Sequence, residues 1–456
     1  LHKEYRRQRQ MCIRDSLRGK SRDLRDQTRL VRGETMGELS LGESSAHSLG
    51  IAFSFSFSNE GRTMSKVIMI GCDLHDHSML IRFAVGQGKP KEDRFSNDLL
   101  GRHLLVERMQ QLAQEHGADR VVFAYEASGQ GYGLSDYLHH EGIECYVLSP
   151  NQLPKTPKSA KQKTDSKDAQ MLLEQLRGFV LAGNPLPVVW TPPQRLRDDR
   201  ELVRARVDAS DDTTRIKLQI LSMLKRYEIL KPCWYTTRWS KRFVKWLRDT
   251  AAEMDPVVAP VLGSLIDRYE LFQAEQNKFD KAIKALSQTD RYRDACKELR
   301  LLPGVGLLTA MTFLTEMGDL ERFHNRREVA AYLGLCPASF ETGKADDRKG
   351  RITRQGPSRL RKLLCQAAWV SLRDSEDAAN TYLRIRGGKR NRTKKALVAI
   401  MRRLAIEMWH CARAIGTAEE LRGRGGPHEG ETPPARTPAA AYGEHFQESG
   451  NQSIGT

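Results

Sequence analysis

Two apolar runs that each end in an acidic residue constrain the fold of this chain more than any other feature. Val67–Asp73 and Arg120–Glu126 have the length and apolar content of buried strands. Further elements complete the pattern: a hairpin partner over Met79–Val85, a third strand over 143–148, and helices over 95–116 and 133–140. Strands that alternate with helices predict an α/β domain with a mostly parallel central sheet.

Four acidic residues are predicted to share one edge of that sheet. Asp73 and Glu126 end their strands, where open α/β sheets place their ligands. Asp165 and Asp168 are three residues apart at the predicted start of a helix, so both can face one side. Carboxylate oxygens favour Mg²⁺ or Mn²⁺, and a pair of such ions can drive phosphodiester cleavage. Alone, Asp165 or Asp168 also fits a helix-capping or first-turn role, and Asp73 fits a turn at the end of a strand.

The chain after this region is mainly helical. Apolar residues recur at helical spacing among charged ones in two long stretches, which Lys231-Pro232 separates. This pattern predicts a coiled-coil arm whose helices pair with each other or with those of a second copy. A compact, mostly helical and basic region follows over residues 299–413.

We divide the chain into a leader (1–63), an α/β domain (64–184), a helical arm (185–298), a C-terminal helical domain (299–415) and a tail (416–456). The leader is irregular and begins at Leu1, so we expect it to be disordered and not native, with Met64 as the natural start. The tail is rich in Gly and Pro, and we expect it to be disordered as well.

The charge of the chain favours a polyanionic partner. Lys and Arg together number 74 against 57 Asp and Glu, which gives a net charge of +17. Such a balance points to nucleic acid ahead of a membrane surface. No apolar run reaches the ~18 residues of a membrane helix, so we expect no membrane partner. The eight cysteines are scattered without metal-ligand spacing, which fits a reducing cytoplasm better than a disulfide scaffold.

Several segments are candidates for nucleic-acid binding. A loop over Pro150–Lys163 holds four lysines and no acid, and Leu302–Gly306 has the hairpin of a helix-hairpin-helix unit, which binds phosphate through backbone N–H groups. Two further runs, 350–364 and 384–403, hold five and nine basic residues without an acid, and we expect Arg384–Lys395 within the second run to be a loop. The predicted contacts are Lys155, Lys158, Lys161, Lys163, Gly304, Gly306, Arg351, Arg354, Arg359, Arg361, Lys362, Arg390 and Arg392.

Six sequence blocks, taken in order, resemble one known protein family. They are IGCDLHDHS, FAYEASGQGYGL, KTDSKDAQML, LLPGVGLLTAMTFLTEMGDLERF, VAAYLGLCPA and GRITRQGPSRLRKLLCQAAW. Together they resemble the DEDD insertion-sequence transposases of the IS-one-ten group, which are regarded as bridge-RNA-guided recombinases. The resemblance covers about residues 67–413.

The resemblance implies a RuvC-like N-terminal domain with an RNase H fold, a coiled-coil arm, and a mostly α C-terminal transposase domain with a helix-hairpin-helix element. It maps the four catalytic, metal-binding acids of the family onto Asp73, Glu126, Asp165 and Asp168. It also implies a serine nucleophile that forms a phosphoserine link with DNA. The matching position is Thr342, so Thr342 is the nucleophile candidate, with Ser339 and Ser358 as alternatives.

The leading hypothesis is a transposase that cleaves and rejoins DNA to excise and insert its own element, guided by a structured RNA and dependent on Mg²⁺ or Mn²⁺. Its expected partners are DNA, that RNA and further copies of itself, as a dimer or tetramer, in the bacterial or archaeal cytoplasm at the nucleoid. One alternative is a RuvC-like, structure-selective nuclease that uses metal-activated water without a covalent intermediate. Another is a non-catalytic nucleic-acid-binding protein that retains the fold.

Overall fold

A computed structural model describes residues 66–154, 164–236, 239–340 and 348–424 of the chain. The predicted leader, residues 155–163 with the four lysines of the predicted loop, and Thr342 lie outside the described residues.

A five-stranded sheet forms the first part of the structure. Its elements are β1 (Val67–Leu74), β2 (Ser78–Val85), β3 (Lys91–Ser96), α1 (Leu99–His116), β4 (Arg120–Glu126), α2 (Gly133–His140), β5 (Glu144–Leu148) and α3 (Asp165–Ala182). The strand order is β3-β2-β1-β4-β5. β4 runs parallel to β1 and β5, whereas β2 runs antiparallel to β1 and β3. The predicted α/β architecture is therefore confirmed.

The prediction of a mostly parallel sheet is wrong, because two of the four strand pairings are antiparallel. The sequence pattern misses β3, whose residues Lys91–Ser96 are mostly charged, as is common for edge strands. Consequently α1 begins at Leu99 and not at residue 95. Asp98 caps this helix, because its carboxylate accepts a hydrogen bond of 2.7 Å from the N–H of Gly101.

The two faces of the sheet carry different helices. Alternate residues of a strand point to opposite faces. Cys72 and Tyr125 pack on the face covered by α1 and α2, whereas Met69 and Ala124 pack on the face covered by α3. Helices therefore cover both faces of the sheet, whereas the ends of its strands lie outside these faces.

Three helices form the arm: α4 (Gln194–Arg226), α5 (Lys241–Glu253) and α6 (Ala259–Leu286). α4 and α6 pair within the chain, where Arg206 makes two hydrogen bonds to Asp280 at 2.7 and 3.0 Å. The sequence pattern predicts two arm helices, and α5 is an additional one. The distal part of the arm has its own core, in which Ile220 of α4 packs with Phe243 of α5 and Ile266 of α6.

The remaining elements are mostly helical. They are α7 (Arg293–Leu299), α8 (Leu307–Met317), α9 (Arg326–Tyr332), β6 (Pro337–Phe340), β7 (Arg348–Ile352), α10 (Ser358–Asp374), α11 (Glu376–Arg386), a 3₁₀ turn (Arg390–Arg392), α12 (Thr393–Ile415) and a second 3₁₀ turn (Glu419–Leu421). The arm joins the core of this C-terminal region through Leu196 at the start of α4 and Ile283 near the end of α6. β6 and β7 form an antiparallel hairpin that the sequence pattern misses.

Two predictions about this region need correction. The predicted loop over Arg384–Lys395 is shorter, because α11 continues to Arg386 and α12 begins at Thr393. The predicted disordered tail does not begin at 416, since Leu421 is buried and Arg424 exchanges two backbone hydrogen bonds of 2.9 Å with Thr191. None of the helices in the described part of the chain is both long and apolar enough to span a membrane.

Candidate active site

Asp73 and Glu126 end neighbouring parallel strands. Cys72 of β1 lies opposite Tyr125 of β4, so the next residue of each strand, Asp73 and Glu126, comes at the same edge. Because neighbours along a strand face opposite sides, these two acids belong to the face that α3 covers. The sheet therefore presents two carboxylates beside the first turn of α3.

Close packing at Gly71 brings α3 to this edge. A Cβ atom on Gly71 would lie 2.3 Å from the carbonyl oxygen of Ala169 and 2.4 Å from the backbone nitrogen of Leu173. The backbone of α3 thus lies directly on β1, two residues before Asp73. The first turn of α3 carries Asp165 and Asp168, so the contact at Gly71 sets the distance between these acids and Asp73.

A histidine completes a three-residue cluster with two of the acids. Nε2 of His75 lies 3.2 Å from Oδ2 of Asp73 and 3.4 Å from Oδ1 of Asp165. The three ligand atoms all lie within 4.8 Å of one another. Carboxylate and imidazole groups are ligands of divalent metal ions, so this donor set fits such an ion. Among the described residues, neither Glu126 nor Asp168 belongs to this cluster.

His75 is not among the predicted site residues, although the sequence contains a signal for it. His75 follows Asp73 by two residues, and side chains two apart in an extended segment share a face. What the sequence does not contain is the approach of Asp165, which comes from α3.

An open cleft of about 660 Å³ adjoins the cluster. The loop after β1 and the loop after β4 line it, through residues 74–78 and 128–130. The two loops are joined by Gln130, whose side chain donates a hydrogen bond to Asp76. His75 belongs to both the cleft and the cluster, so a group that enters the cleft reaches the candidate metal ligands.

Cys72 lies beside the cluster in sequence but takes no part in it. Burial raises the pKa of the Cys72 thiol well above its usual value, and the neighbouring Asp73 carboxylate adds to the effect. The thiol therefore stays protonated and faces the core on the α1 side. Cys72 therefore faces away from the acids, which lie on the α3 side of the sheet.

Two models of transposase families match this chain, one in each half. The model of DEDD transposases of the IS110 type matches residues 70–229, and the model described as the transposase IS116/IS110/IS902 family matches residues 296–384. The chain belongs to the IS110 family of DEDD transposases. The first match spans the four predicted acids and His75, and the second spans the C-terminal basic run over 350–364.

Individual relatives of this IS110-family chain cover most of their own length in the alignment. The protein y4qE of Sinorhizobium fredii is 29% identical over 65% of this chain and 76% of its own. The transposase for insertion sequence element IS1533 of Leptospira borgpetersenii is 24% identical over 67% of this chain and 86% of its own. The transposase for IS1111A of Coxiella burnetii is 25% identical over 59% and 71%.

The predicted nucleic-acid contacts on α10 form ion pairs or hydrogen bonds with other residues of the chain. Arg359 holds the carboxylate of Asp208 with two hydrogen bonds of 2.8 and 2.6 Å, and Lys362 pairs with Asp211. Both acids belong to α4. Arg361 donates to three backbone carbonyls, those of Leu333 (3.2 Å), Gln355 (2.8 Å) and Gly356 (2.9 Å). Arg351, Arg354, Arg390 and Arg392 are exposed.

The glycine hairpin before α8 packs against α10 through Gly304. Gly304 has φ +85°, and a Cβ atom there would lie 2.3 Å from the carbonyl oxygen of Ala367 in α10. Its lack of a side chain thus serves helix packing. Gly306 caps α8 and has open space around it. Of the two, only Gly306 leaves room for another molecule.

The nucleophile candidates lie in three different settings. Thr342 is outside the described residues. Ser339 belongs to β6, and Ser358 is the exposed first residue of α10.

Proposed function

We propose that this chain cleaves and rejoins DNA strands during excision and insertion of an insertion sequence. The observation that carries the proposal is the cluster of Asp73, His75 and Asp165 beside an open cleft, in a chain of the DEDD transposase family. Relatives that are named as transposases for insertion sequence elements support the same activity.

The cluster would hold a divalent ion, Mg²⁺ or Mn²⁺, with Glu126 and Asp168 at the same edge as further ligands. When bound, such an ion stabilises developing negative charge on phosphate oxygens and activates a hydroxyl or water. The residues of the chain have their own tasks. His75 orients the Asp73 and Asp165 carboxylates toward each other, and the close contact at Gly71 keeps the start of α3 in place.

The finer features of the proposal follow from the family resemblance. They are a RuvC-like arrangement of residues 64–184, an arm over 185–298, a C-terminal transposase domain over 299–415 with a helix-hairpin-helix element, a structured guide RNA, and a dimer or tetramer. The exposed side chains of Arg351, Arg354, Arg390 and Arg392 support nucleic-acid contacts in the C-terminal region. The lysines at 155, 158, 161 and 163 are further proposed contacts.

The nucleophile in this proposal is the hydroxyl of Thr342, with Ser339 and Ser358 as alternatives. A hydroxyl that attacks DNA leaves the protein covalently attached to the strand, whereas a metal-activated water does not. A protein–DNA product that survives denaturing gel electrophoresis, and that is lost in Thr342→Val, is therefore expected. A cleaved strand without attached protein supports the nuclease alternative.

The acids are tested by Asp73→Asn and Asp165→Asn, with Asp119→Asn as the matched control. Asp119 is an exposed carboxylate just before β4 that lies outside both the cluster and the cleft. We expect both cluster variants to lose cleavage of DNA that carries the ends of the element while their DNA binding in a gel-shift assay is retained. The control should cleave normally. Wild-type cleavage rates in Asp73→Asn would refute the proposed site.

A further inference from the structure

The distal end of the arm carries a basic surface that lies outside the predicted nucleic-acid contacts. Between residues 225 and 245 the chain holds seven Lys or Arg residues and one acid, Glu228. The described cations of this stretch are all exposed: Lys225, Arg226, Lys231, Lys241, Arg242 and Lys245. We call these six side chains, together with Trp234, Tyr235 and Trp239, the arm tip.

The positive charge of the arm tip is not balanced by carboxylates. In the part of the chain that the structure describes, none of its six cations forms an ion pair, whereas the nearby Arg248 pairs with both Asp267 and Glu270. Lys241 and Lys245 are four residues apart on α5, a spacing at which like charges destabilise a helix. The charge is thus a cost to folding that a polyanion would relieve.

Aromatic rings lie directly beside these cations. The guanidinium carbon of Arg242 is 4.2 Å from the centroid of the Trp234 ring, and Nζ of Lys231 is 5.0 Å from that of Tyr235. Both rings are half-buried. Tyr235 also packs on the buried Phe243 ring, with centroids 4.2 Å apart. The core of the distal arm therefore holds the aromatic groups in place while part of their surface stays accessible.

Exposed cations interleaved with fixed aromatic rings are the surface that single-stranded nucleic acids recognise. Phosphates pair with the cations, and unpaired bases stack on the rings. A duplex would use the cations alone, because its bases already stack on one another. A phosphate that draws Arg242 away from Trp234 also uncovers the ring for a base.

We propose that the arm tip binds an unpaired segment of RNA or DNA, through Lys241, Arg242 and Lys245 at phosphates and Trp234 at a base. This surface is additional to the acid cluster and to the C-terminal basic residues. The inference rests on the proposed action on nucleic acid only for its biological purpose, since binding itself needs no metal ion.

The proposed phosphate contacts are tested in the full-length protein with the triple variant Lys241→Ala/Arg242→Ala/Lys245→Ala. The matched control is Lys278→Ala/Lys281→Ala/Lys284→Ala, which removes three exposed lysines of α6. Affinity for labelled oligouridylate, oligothymidylate and a DNA duplex is measured by fluorescence anisotropy in EDTA at several salt concentrations. We expect the tip variant to bind single strands at least tenfold more weakly. We also expect its log–log salt slope to fall by about 2, at ~0.7 per lost phosphate contact.

The control variant should stay close to wild type, and equal losses in the two variants would overturn the proposal. The single strand that loses more affinity in the tip variant identifies RNA or DNA as the occupant. Because the assay contains no metal ion, its outcome is separate from that of the proposed function. If the tip variant binds single strands as tightly as the wild type while the wild type cleaves DNA, this inference alone is refuted. If the wild type does not cleave DNA, the proposed function alone is refuted.

The stacking is tested by Trp234→Leu. We expect at least fivefold weaker binding of single strands, with duplex binding within twofold of wild type, because one base loses its partner. Equal loss for both ligands would contradict stacking. Photocrosslinking of 4-thiouridine-substituted RNA to the unaltered protein is a second measurement that does not depend on the folding of a variant. It should label the peptide that contains Trp234, and labels found only elsewhere would overturn the assignment.

Discussion

At the scale of single residues, His75 links two acids that belong to different elements. Its imidazole is within 3.4 Å of both Asp73 and Asp165. A nitrogen ligand suits transition metals better than Mg²⁺, whereas carboxylates alone suit Mg²⁺ and Mn²⁺ alike. The cluster should therefore distinguish between these two ions through His75.

We expect His75→Ala to lower the affinity for Mn²⁺ at least tenfold and to change the affinity for Mg²⁺ less. The control is His77→Ala, which removes an exposed histidine of the same cleft that lies outside the cluster. Mn²⁺ binding is measured by electron paramagnetic resonance titration of the free protein. Unchanged Mn²⁺ affinity in His75→Ala would remove this residue from the proposed metal site.

A second residue-scale prediction concerns Gly71. A methyl group there would overlap the backbone of α3, so Gly71→Ala should lower the free energy of unfolding by about 1–3 kcal/mol and weaken metal binding. Gly263 of α6 is the matched control, since a Cβ atom there meets nothing within 4 Å. Gly263→Ala should raise stability by up to about 1 kcal/mol, because alanine favours a helix. Denaturant unfolding measures both, and equal effects would contradict the close contact.

At the scale of elements, α10 and α4 are tied by opposite charges. The Arg359 guanidinium lowers the pKa of the Asp208 carboxyl from its usual range, and the hydrogen bonds between them raise the pKa of Arg359. A carboxyl whose pKa is lower in the folded state stabilises the fold above its unfolded pKa of ~3.9 and loses that effect as the pH falls through the folded value. The tie is therefore intact at neutral pH.

This tie separates the C-terminal arginines into two groups. We expect Arg351→Ala/Arg354→Ala to weaken DNA binding alike for many sequences and to reduce the log–log salt slope by about 1.8, at ~0.9 per duplex phosphate contact. Arg359→Ala should change the slope less, because Asp208 already holds this side chain. Anisotropy titrations at several salt concentrations measure the slopes of the wild type, the double variant and Arg359→Ala. A larger slope change in Arg359→Ala than in the double variant would count against this division.

At the scale of the whole molecule, an ion pair with a buried carboxylate anchors the arm in the C-terminal core. Arg204 of α4 makes hydrogen bonds of 2.7 and 2.9 Å to the two carboxylate oxygens of Glu316 in α8, and only 4% of the Glu316 side chain is exposed. These hydrogen bonds raise the pKa of Arg204, so the guanidinium stays charged. The arm and the C-terminal region thus share polar as well as apolar contacts.

We expect Arg204→Ala to lower the free energy of unfolding by about 3–5 kcal/mol, because it leaves a buried carboxylate without its main cation. The double variant Arg204→Met/Glu316→Leu should recover most of this loss, since it removes both charges and keeps apolar volume. Denaturant unfolding of the single and double variants gives the coupling free energy. Additive losses in the double variant would show that the pair does not anchor the arm.

Elements whose signals are local along the chain can be predicted from the amino-acid sequence. Apolar runs predict β1 and β4, and the predicted helix start that carries Asp165 and Asp168 agrees with the start of α3 at Asp165. Strand-end acids can be identified in the same way, since strand length and the polar residue after it are read along one segment. Six ordered blocks were enough to identify the family, because motif order survives even where identity is near 25%.

Features that depend on residues distant along the chain follow from tertiary packing. β3 is held by its pairing with β2 and not by its own charged sequence. His75 meets Asp165 because α3 packs on Gly71, and Arg359 meets Asp208 because α10 lies against α4. Periodicity and composition describe one segment at a time, whereas a contact between two segments depends on how the whole core packs. The sequence pattern therefore predicts the acids of the site, and packing determines which of them come together.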